Sequence, residues 1–305
     1  MPPRTAPQAP LRQAQDDRTV LRQAQDRPFK QVDVFTGTPY RGNPLAVVLD
    51  GTGLADEQMQ HFAQWTHLSE TTFLLPPTSD NADYRVRIFT PGGELPFAGH
   101  PTLGSCHAWL QAGGKPKSAE FIVQECQVGL VRIRREGPRL AFAAPPLKRS
   151  APSPAVLAQV AQAIGVKASQ VIAVQTLDNG PVWLGLLLDS PQTVLALAPN
   201  HLQLKQLGQK VGVAAVYADA PAAGPHLEVR AFAAPIGITE DPVTGSLNAS
   251  LAQWLIADRH MPAHYVAAQG ACLQRAGRVH LERDAAGQVW VGGETVTCIA
   301  GTVAL

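Results

Sequence analysis

Long hydrophobic runs, paired cysteine motifs and an excess of either charge are all missing from this sequence. The longest strongly apolar run, Val182 to Leu188, is far shorter than the roughly 20 residues that a membrane helix needs. Lys and Arg total 25 against 24 Asp and Glu, which gives a net charge of +1. This balance gives no electrostatic reason to bind nucleic acid or an anionic bilayer. We therefore expect neither a nucleic-acid partner nor a membrane partner.

Cysteine is scarce, and its spacing excludes several common sites. The four residues, Cys106, Cys126, Cys272 and Cys298, show no C-x-x-C spacing, so zinc-ribbon and thioredoxin-like sites lack support. Residues 1–30 contain no apolar segment typical of a secretory signal. We expect reduced thiols and a cytoplasmic location.

Cofactor fingerprints are also missing. The sequence has no G-x-G-x-x-G after a strand pattern, no P-loop and no H-E-x-x-H. We therefore expect no cofactor and no metal.

The composition is that of a folded protein with many turns. Of the 305 residues, 45% are hydrophobic and 16% are charged, while Gly and Pro number 26 each. The length favours two domains, and the turn residues favour short strands. Residues 1–27 stand apart, because Leu11–Asp16 is repeated at Leu21–Asp26 in polar sequence. We interpret residues 1–27 as a flexible extension, with a short docking helix as the alternative.

Two halves of the remaining chain share one plan. Val229–Phe232 resembles Val86–Phe89, and Pro242–Ser246 resembles Pro101–Ser105. Each copy predicts a strand, a turn-rich loop, a proline at the first helical position and then a helix. An earlier helix is predicted over Asp56–Thr66, with Met59, Phe62 and Ala63 on its buried face.

This repetition predicts an α+β fold of two pseudo-symmetric domains. Each would be a mostly antiparallel, barrel-like sheet around a central helix. We place the domains at residues 28–146 and 147–305, with the option that the last strand returns to the first domain. If both helix starts face one cleft, their free amides and dipoles would bind an anion such as a substrate carboxylate. We expect a small-molecule carboxylate as the partner.

The ionisable residues beside these helix starts are His100 in the first copy and Glu240 and Asp241 in the second. No thiol occupies either position, which argues against a racemase with two cysteines. Acid–base work would then fall to carboxylates and imidazole. Asp241, followed by Pro242, is also predicted to be a helix N-cap.

These residues lie in motifs that resemble the phenazine-biosynthesis PhzF-like isomerase family. The matching segments follow in order over about residues 28–305: Phe35-Thr36 with Gly42-Asn43-Pro44, then Leu68–Phe73, then Glu94–Gly104, then Gly237–Ser246.

The resemblance implies a diaminopimelate-epimerase-like fold, usually as a homodimer, and cofactor-independent isomerisation by proton transfer. In the type enzyme the substrate is trans-2,3-dihydro-3-hydroxyanthranilate. The resemblance assigns proton transfer to Glu70 and places His100, Asp241 and Ser246 with it as catalytic residues. Substrate contacts are assigned to Gly99, Thr102, Gly104, Thr244 and Gly245.

Several alternatives stay open. The three glycines could serve tight helix packing, Glu70 could be a solvated strand-end carboxylate, and Ser246 could bond its own helix backbone. The predicted function is a cofactor-free isomerase of a small carboxylate-bearing substrate. The alternatives are an amino-acid or hydroxy-acid epimerase or racemase, and a non-catalytic carboxylate-binding protein of the same fold.

Overall fold

A computed structural model describes residues 25–220 and 224–305. Within these residues the chain forms eighteen strands and six α-helices. The strands are β1 (Asp26–Val34), β2 (Asn43–Val48), β3 (Thr71–Leu75), β4 (Tyr84–Thr90), β5 (Gly93–Leu95), β6 (Phe121–Cys126), β7 (Gly129–Glu136), β8 (Arg139–Ala143), β9 (Lys148–Ser150), β10 (Val171–Asp178), β11 (Val182–Leu188), β12 (Val211–Val216), β13 (Leu227–Ala233), β14 (Ile238–Asp241), β15 (His264–Gln269), β16 (Gly277–Arg283), β17 (Val289–Gly293) and β18 (Thr295–Ala304). The helices are α1 (Asp56–Thr66), α2 (Gly99–Gln111), α3 (Pro154–Ile164), α4 (Pro191–Ala196), α5 (His201–Gln206) and α6 (Gly245–Ala257).

The strand pairings repeat one pattern in both halves of the chain. In the first half, β2 and β3 pair in parallel, as do β4 and β6, and the other neighbours from β1 to β8 are antiparallel. In the second half, β11 pairs in parallel with β12 and β13 with β15, again among antiparallel neighbours. Strands β8 and β17 join the two halves. The predicted α+β class with two pseudo-symmetric halves is confirmed.

The ends of the described chain bear on the domain limits. Strand β1 begins at Asp26, two residues before the predicted domain start at Pro28, and residues 1–24 of the predicted extension lie outside the described residues. Strand β18 pairs with β1, so the end of the chain lies against the first half. Strand β9 pairs with β10 of the second half. The link between β8 and β9 contains the predicted boundary at residues 146 and 147, which we retain as a proposal.

Helix α1 shows how closely local sequence sets the elements. It covers Asp56–Thr66 as predicted, and Met59, Phe62 and Ala63 are its buried residues. These side chains belong to a satellite core that also contains Phe73 and Phe89. His67 follows in the left-handed conformation with φ of 54° and ends the helix.

Helices α2 and α6 are the central helix of each half. Most of their residues are buried, because small side chains allow the surrounding strands to approach closely. At Gly104 of α2, an added Cβ would lie 2.5 Å from Leu45 Cδ2 and 3.0 Å from methyl groups of Val32 and Val34. No helix within the described residues is long and apolar enough to cross a bilayer.

The start of each central helix differs from the prediction. Helix α2 begins at Gly99, so Pro101 is its third residue rather than its first, and α6 begins at Gly245. Asp241 is therefore not the N-cap of α6; it ends β14, and Thr244 holds the N-cap position. The reason is that the Thr244 amide donates a hydrogen bond to Gln269 Oε1, at 3.0 Å, which holds the chain extended to that point.

Candidate active site

A cavity of about 230 Å³ lies where the starts of α2 and α6 meet. The two helix starts are in contact: a Cβ added to Gly245 would lie 3.3 Å from the Cα of Gly99. First-turn amides of a helix have no acceptor within that helix, so donors from both halves face the same small space. Seven of the nine predicted site residues line the cavity: Glu70, Gly99, His100, Asp241, Thr244, Gly245 and Ser246.

Glu70 and His100 form a facing pair of ionisable side chains in the first half. Glu70 directly precedes β3, and His100 is the second residue of α2. His100 Nε2 lies 3.5 Å from Glu70 Oε2, and the two side chains are 7% and 15% exposed. Neither of these two atoms has a hydrogen-bond partner within the described residues. Two buried polar atoms thus face each other with their bonding capacity unused.

The protonation of this pair follows from its burial. Burial raises the pKa of Glu70 to about 8, and the charge of Asp241 adds to the increase. Burial lowers the pKa of His100 to about 3, although a hydrogen bond to the backbone of Pro44 opposes the change. At neutral pH both groups are therefore mostly uncharged, and the protonated carboxyl faces a neutral ring.

A polar network holds Asp241 in the second half. Its Oδ1 accepts from Asn43 Nδ2 at 3.1 Å, and its Oδ2 accepts from Thr244 Oγ1 at 2.6 Å. Gln269 Nε2 donates to Thr244 Oγ1 at 2.9 Å, and Asn248 Nδ2 donates to Gln269 Oε1 at 2.8 Å. Because Asn43 comes from the first half, this network also ties the two halves together at the site.

Burial raises the pKa of Asp241 to about 6, while the hydrogen bonds from Thr244 and Asn43 limit the increase. At neutral pH Asp241 is therefore mostly ionised, whereas Glu70 is mostly protonated. Two neighbouring carboxyl groups whose pKa values are pushed apart in this way are suited to different roles in acid–base chemistry.

The start of α6 is held by the hairpin of β10 and β11, through one turn residue and one residue of β11. Ser246 Oγ accepts from Trp183 Nε1 at 3.2 Å, and the Ser246 carbonyl accepts from Asn179 Nδ2 at 3.0 Å. Asn179 Oδ1 is buried without a hydrogen-bond partner in the described residues. Both Asn179 and Trp183 line the cavity, and neither lies in one of the sequence motifs.

Thr102 and Gly104 do not line the cavity, so the predicted substrate contacts are corrected for these two residues. Thr102 Oγ1 donates to the Ala98 carbonyl at 2.9 Å and accepts from Gln124 Nε2 at 3.0 Å, inside the first half. Gly104 packs against Leu45 as described above. Both residues serve the packing of α2.

The cysteines lie elsewhere. None of the four, all of which fall in the described part of the chain, lines the cavity, and all four are free thiols. Cys106 is buried within α2, where burial raises the pKa of its thiol to about 12. Among residues 25–220 and 224–305, no cluster of three His, Cys, Asp or Glu could hold a metal ion.

Comparison with known proteins assigns this chain to a family. The PhzC-PhzF profile, described as "Phenazine biosynthesis-like protein", matches residues 32–301. The chain belongs to this family. Antisense-enhancing sequence 1 of Schizosaccharomyces pombe is 37% identical over 288 residues, covering 90% of this chain and 97% of that protein.

A second PhzC-PhzF relative carries a named activity. Trans-2,3-dihydro-3-hydroxyanthranilate isomerase of Pseudomonas aeruginosa is 33% identical over 262 residues, covering 84% of this chain and 90% of that enzyme. The crystal structure of the Bacillus anthracis phenazine biosynthesis protein of the PhzF family matches with a TM-score of 0.78 at 23% identity, covering 92% of this chain and all of that one. The predicted family, fold and enzyme class, an isomerase, are confirmed.

Proposed function

We propose that the protein isomerises a small carboxylate-bearing molecule by moving a proton with Glu70 inside this cavity. The single observation that carries the proposal is the facing pair of Glu70 Oε2 and His100 Nε2, buried at 3.5 Å with no other hydrogen-bond partner in the described residues. Burying polar atoms without hydrogen bonds costs free energy, unless a bound ligand supplies the missing hydrogen bonds.

Glu70 acts first as the base and then as the acid. A carboxylate whose pKa is near 8 is a stronger base than an ordinary glutamate, although only roughly a tenth of it is ionised at pH 7. It takes a proton from one carbon of the substrate and returns it to a second carbon on the same face. This corresponds to a 1,3- or 1,5-hydrogen shift with no net change in protons.

The other site residues hold the substrate during the shift. When Glu70 is protonated and moves closer than the 3.5 Å that now separates the two atoms, His100 Nε2 accepts a hydrogen bond from it and fixes its orientation. The Asp241 carboxylate accepts a hydrogen bond from a substrate amino or hydroxyl group, because each of its oxygens keeps a free lone pair. The substrate carboxylate lies against the first-turn amides of Gly245 and Ser246. Apolar walls that include Phe97, Phe142 and Ile238 would hold its hydrocarbon part.

Trans-2,3-dihydro-3-hydroxyanthranilate is the first substrate to test, since it names the activity of a relative that matches 84% of this chain. The decisive experiment compares wild type with Glu70→Gln on this compound in deuterated water, with product analysis by NMR. We expect an isomerised, deuterium-labelled product from wild type and at least about a 10³-fold lower rate from the variant.

Glu57→Gln is the matched control, because Glu57 is an exposed glutamate in the first turn of α1, away from the cavity. This variant should retain full activity. If Glu70→Gln is folded and turns over at the wild-type rate, Glu70 has no part in the chemistry. A product with the same bonds and an inverted stereocentre would favour the epimerase alternative instead.

We also infer that the enzyme works in the cytoplasm as a homodimer. Four free thiols in the described residues suit a reducing compartment. The dimer is the assembly that the PhzF-like motifs predict, and light scattering after size-exclusion chromatography tests it: a mass near twice 32.4 kDa supports it.

A further inference from the structure

Lys210 is a cavity residue that no motif singles out. It lines the same cavity as Glu70 and directly precedes β12. Its Nζ lies 5.2 Å from the centroid of the Trp183 ring, over an aromatic wall of the cavity. Among the described residues no carboxylate lies within ion-pair distance of this ammonium group.

The strand registers show that Lys210 is the counterpart of Glu70. Thr71 pairs with Ala46 at the start of the parallel β2–β3 ladder, and Val211 pairs with Leu184 at the start of the parallel β11–β12 ladder. Each of the two residues directly precedes the first residue of its ladder. The position that carries the carboxyl group in one half therefore carries a cation in the other.

The replacement of the Glu70 carboxyl by the Lys210 ammonium at the equivalent position places an acidic group on one side of the cavity and a basic group on the other. The ionised Asp241, and Glu70 whenever it has lost its proton, would repel a substrate carboxylate placed beside them. Lys210 would attract it, and its Trp183 platform donates to Ser246 at the start of α6. Trp183 thus contacts both the Lys210 ammonium group and Ser246, whose amide lies in the first turn of α6. Burial lowers the pKa of Lys210, so a bound anion would also relieve the cost of burying its charge.

We propose that Lys210 is the residue that recognises the substrate carboxylate, opposite the proton-transferring Glu70. The inference rests on the proposed function for the substrate class and adds the side chain that selects it. A carboxylate paired with a partly buried ammonium is favoured over the matched neutral amide by about tenfold or more in affinity.

The test uses binding alone, so it does not depend on turnover. The affinities of 2-aminobenzoate and 2-aminobenzamide are measured by calorimetry for wild type, Lys210→Met, Lys210→Arg and Lys205→Met. Lys205 is an exposed lysine of α5, so its variant removes the same charge outside the cavity. Circular dichroism and melting temperature confirm that each variant is folded.

We expect wild type and Lys205→Met to prefer the carboxylate by about tenfold, and Lys210→Met to lose that preference. Lys210→Arg should keep most of it, because the charge remains. A folded Lys210→Met protein that still prefers the carboxylate overturns the proposal, as does a wild type with no preference. If Glu70→Gln does not affect turnover, the proposed function is contradicted, but the carboxylate preference measured by calorimetry is unchanged.

Discussion

Gly99 and Gly245 bring the two central helices into backbone contact. A Cβ on Gly99 would lie 2.6 Å from Phe142 Cζ and 3.4 Å from the Cα of Gly245. Any side chain at either position would therefore push apart the two halves or fill the cavity between them. The contact explains why two helix starts, 146 positions apart in sequence, line a single small cavity.

Gly99→Ala should reduce activity through this contact, whereas Gly104→Ala should reduce stability. The added methyl at Gly99 meets the Phe142 ring beside the cavity, and we expect at least about a tenfold loss in kcat/KM, consistent with displaced site groups. The methyl at Gly104 meets Leu45 in the packed core, which should cost about 1–3 kcal/mol of unfolding free energy.

Gly301→Ala is the control for both variants, because a Cβ there has nothing within 4 Å. Kinetics and urea unfolding of the three proteins check the prediction. Equal kcat/KM for Gly99→Ala and Gly301→Ala would show that the helix contact does not shape the site.

The pH dependence of kcat/KM should show two steps that both increase with pH. Asp241, with a pKa of about 6, must be ionised to hold the substrate, and Glu70, with a pKa of about 8, must be ionised to take the proton. Activity should therefore increase from pH 5 to pH 9. Initial rates at low substrate concentration across this range measure the profile.

Asn43→Ala separates the two steps. Asn43 donates to the Asp241 carboxylate, so its removal should move the lower step to higher pH and leave the upper step in place. A profile that decreases with pH above 7 would contradict the assignment of Glu70 as the initial base.

The sequence motifs named residues that lie together at the cavity, Glu70 and His100 among them, but they placed some residues in the wrong local structure. Glu70 was expected at the head of a strand and directly precedes β3. The prolines at 101 and 242 suggested helix starts that the structure moves: α2 begins two residues earlier, at Gly99, and α6 begins three residues later, at Gly245, because Gln269 binds the Thr244 amide. Alignment of the two repeats on these prolines gave the wrong register for the helices.

Lys210 is a cavity residue that local sequence does not indicate. The residue lies in no motif. Its equivalence to Glu70 is recognised only when β3 and β12 are aligned by their ladder partners. Thr102 and Gly104 show the opposite case, because their motif positions suggested ligand contacts and their neighbours are core residues. Contacts between segments that are distant in sequence determine which of these residues line the cavity, and local sequence carries little information about such contacts.

The burial of Glu70 should also appear in the stability of the protein. The ordinary pKa of this group is 4.5, and its pKa in the fold is about 8. As the pH increases from about 4.5 to 8, the unfolded chain loses this proton first and gains stability relative to the fold. The wild type therefore loses stability over that range, whereas Glu70→Gln has no proton to lose at this position.

The melting temperature of Glu70→Gln minus that of wild type should consequently be larger at pH 8 than at pH 4.5. Differential scanning calorimetry at several pH values measures the difference. Asp241 and His100 titrate in both proteins, so most of their contribution cancels in the comparison. A difference that is constant with pH would show that Glu70 titrates as an ordinary surface carboxyl.

The duplicated arginine–glutamate pairs beside the site should differ in their contribution to stability. Arg230 binds Glu240 through two hydrogen bonds of 2.9 and 2.8 Å, and the two side chains are 6% and 8% exposed. In the first half, Arg87 binds Glu94 in the same way at 2.7 and 2.6 Å, with 21% and 19% exposed. The geometry is the same, and burial differs.

Glu240→Gln should therefore cost about 3–5 kcal/mol of unfolding free energy, because it leaves the buried Arg230 charge without a counter-ion. Glu94→Gln should cost about 1 kcal/mol, because water reaches Arg87 and Asp56 also binds it, at 2.7 Å. Urea unfolding at pH 7 compares the two variants directly. Equal losses would mean that the guanidinium of Arg230 is solvated as well as that of Arg87, and the second half would then be more open around β14 than its burial indicates.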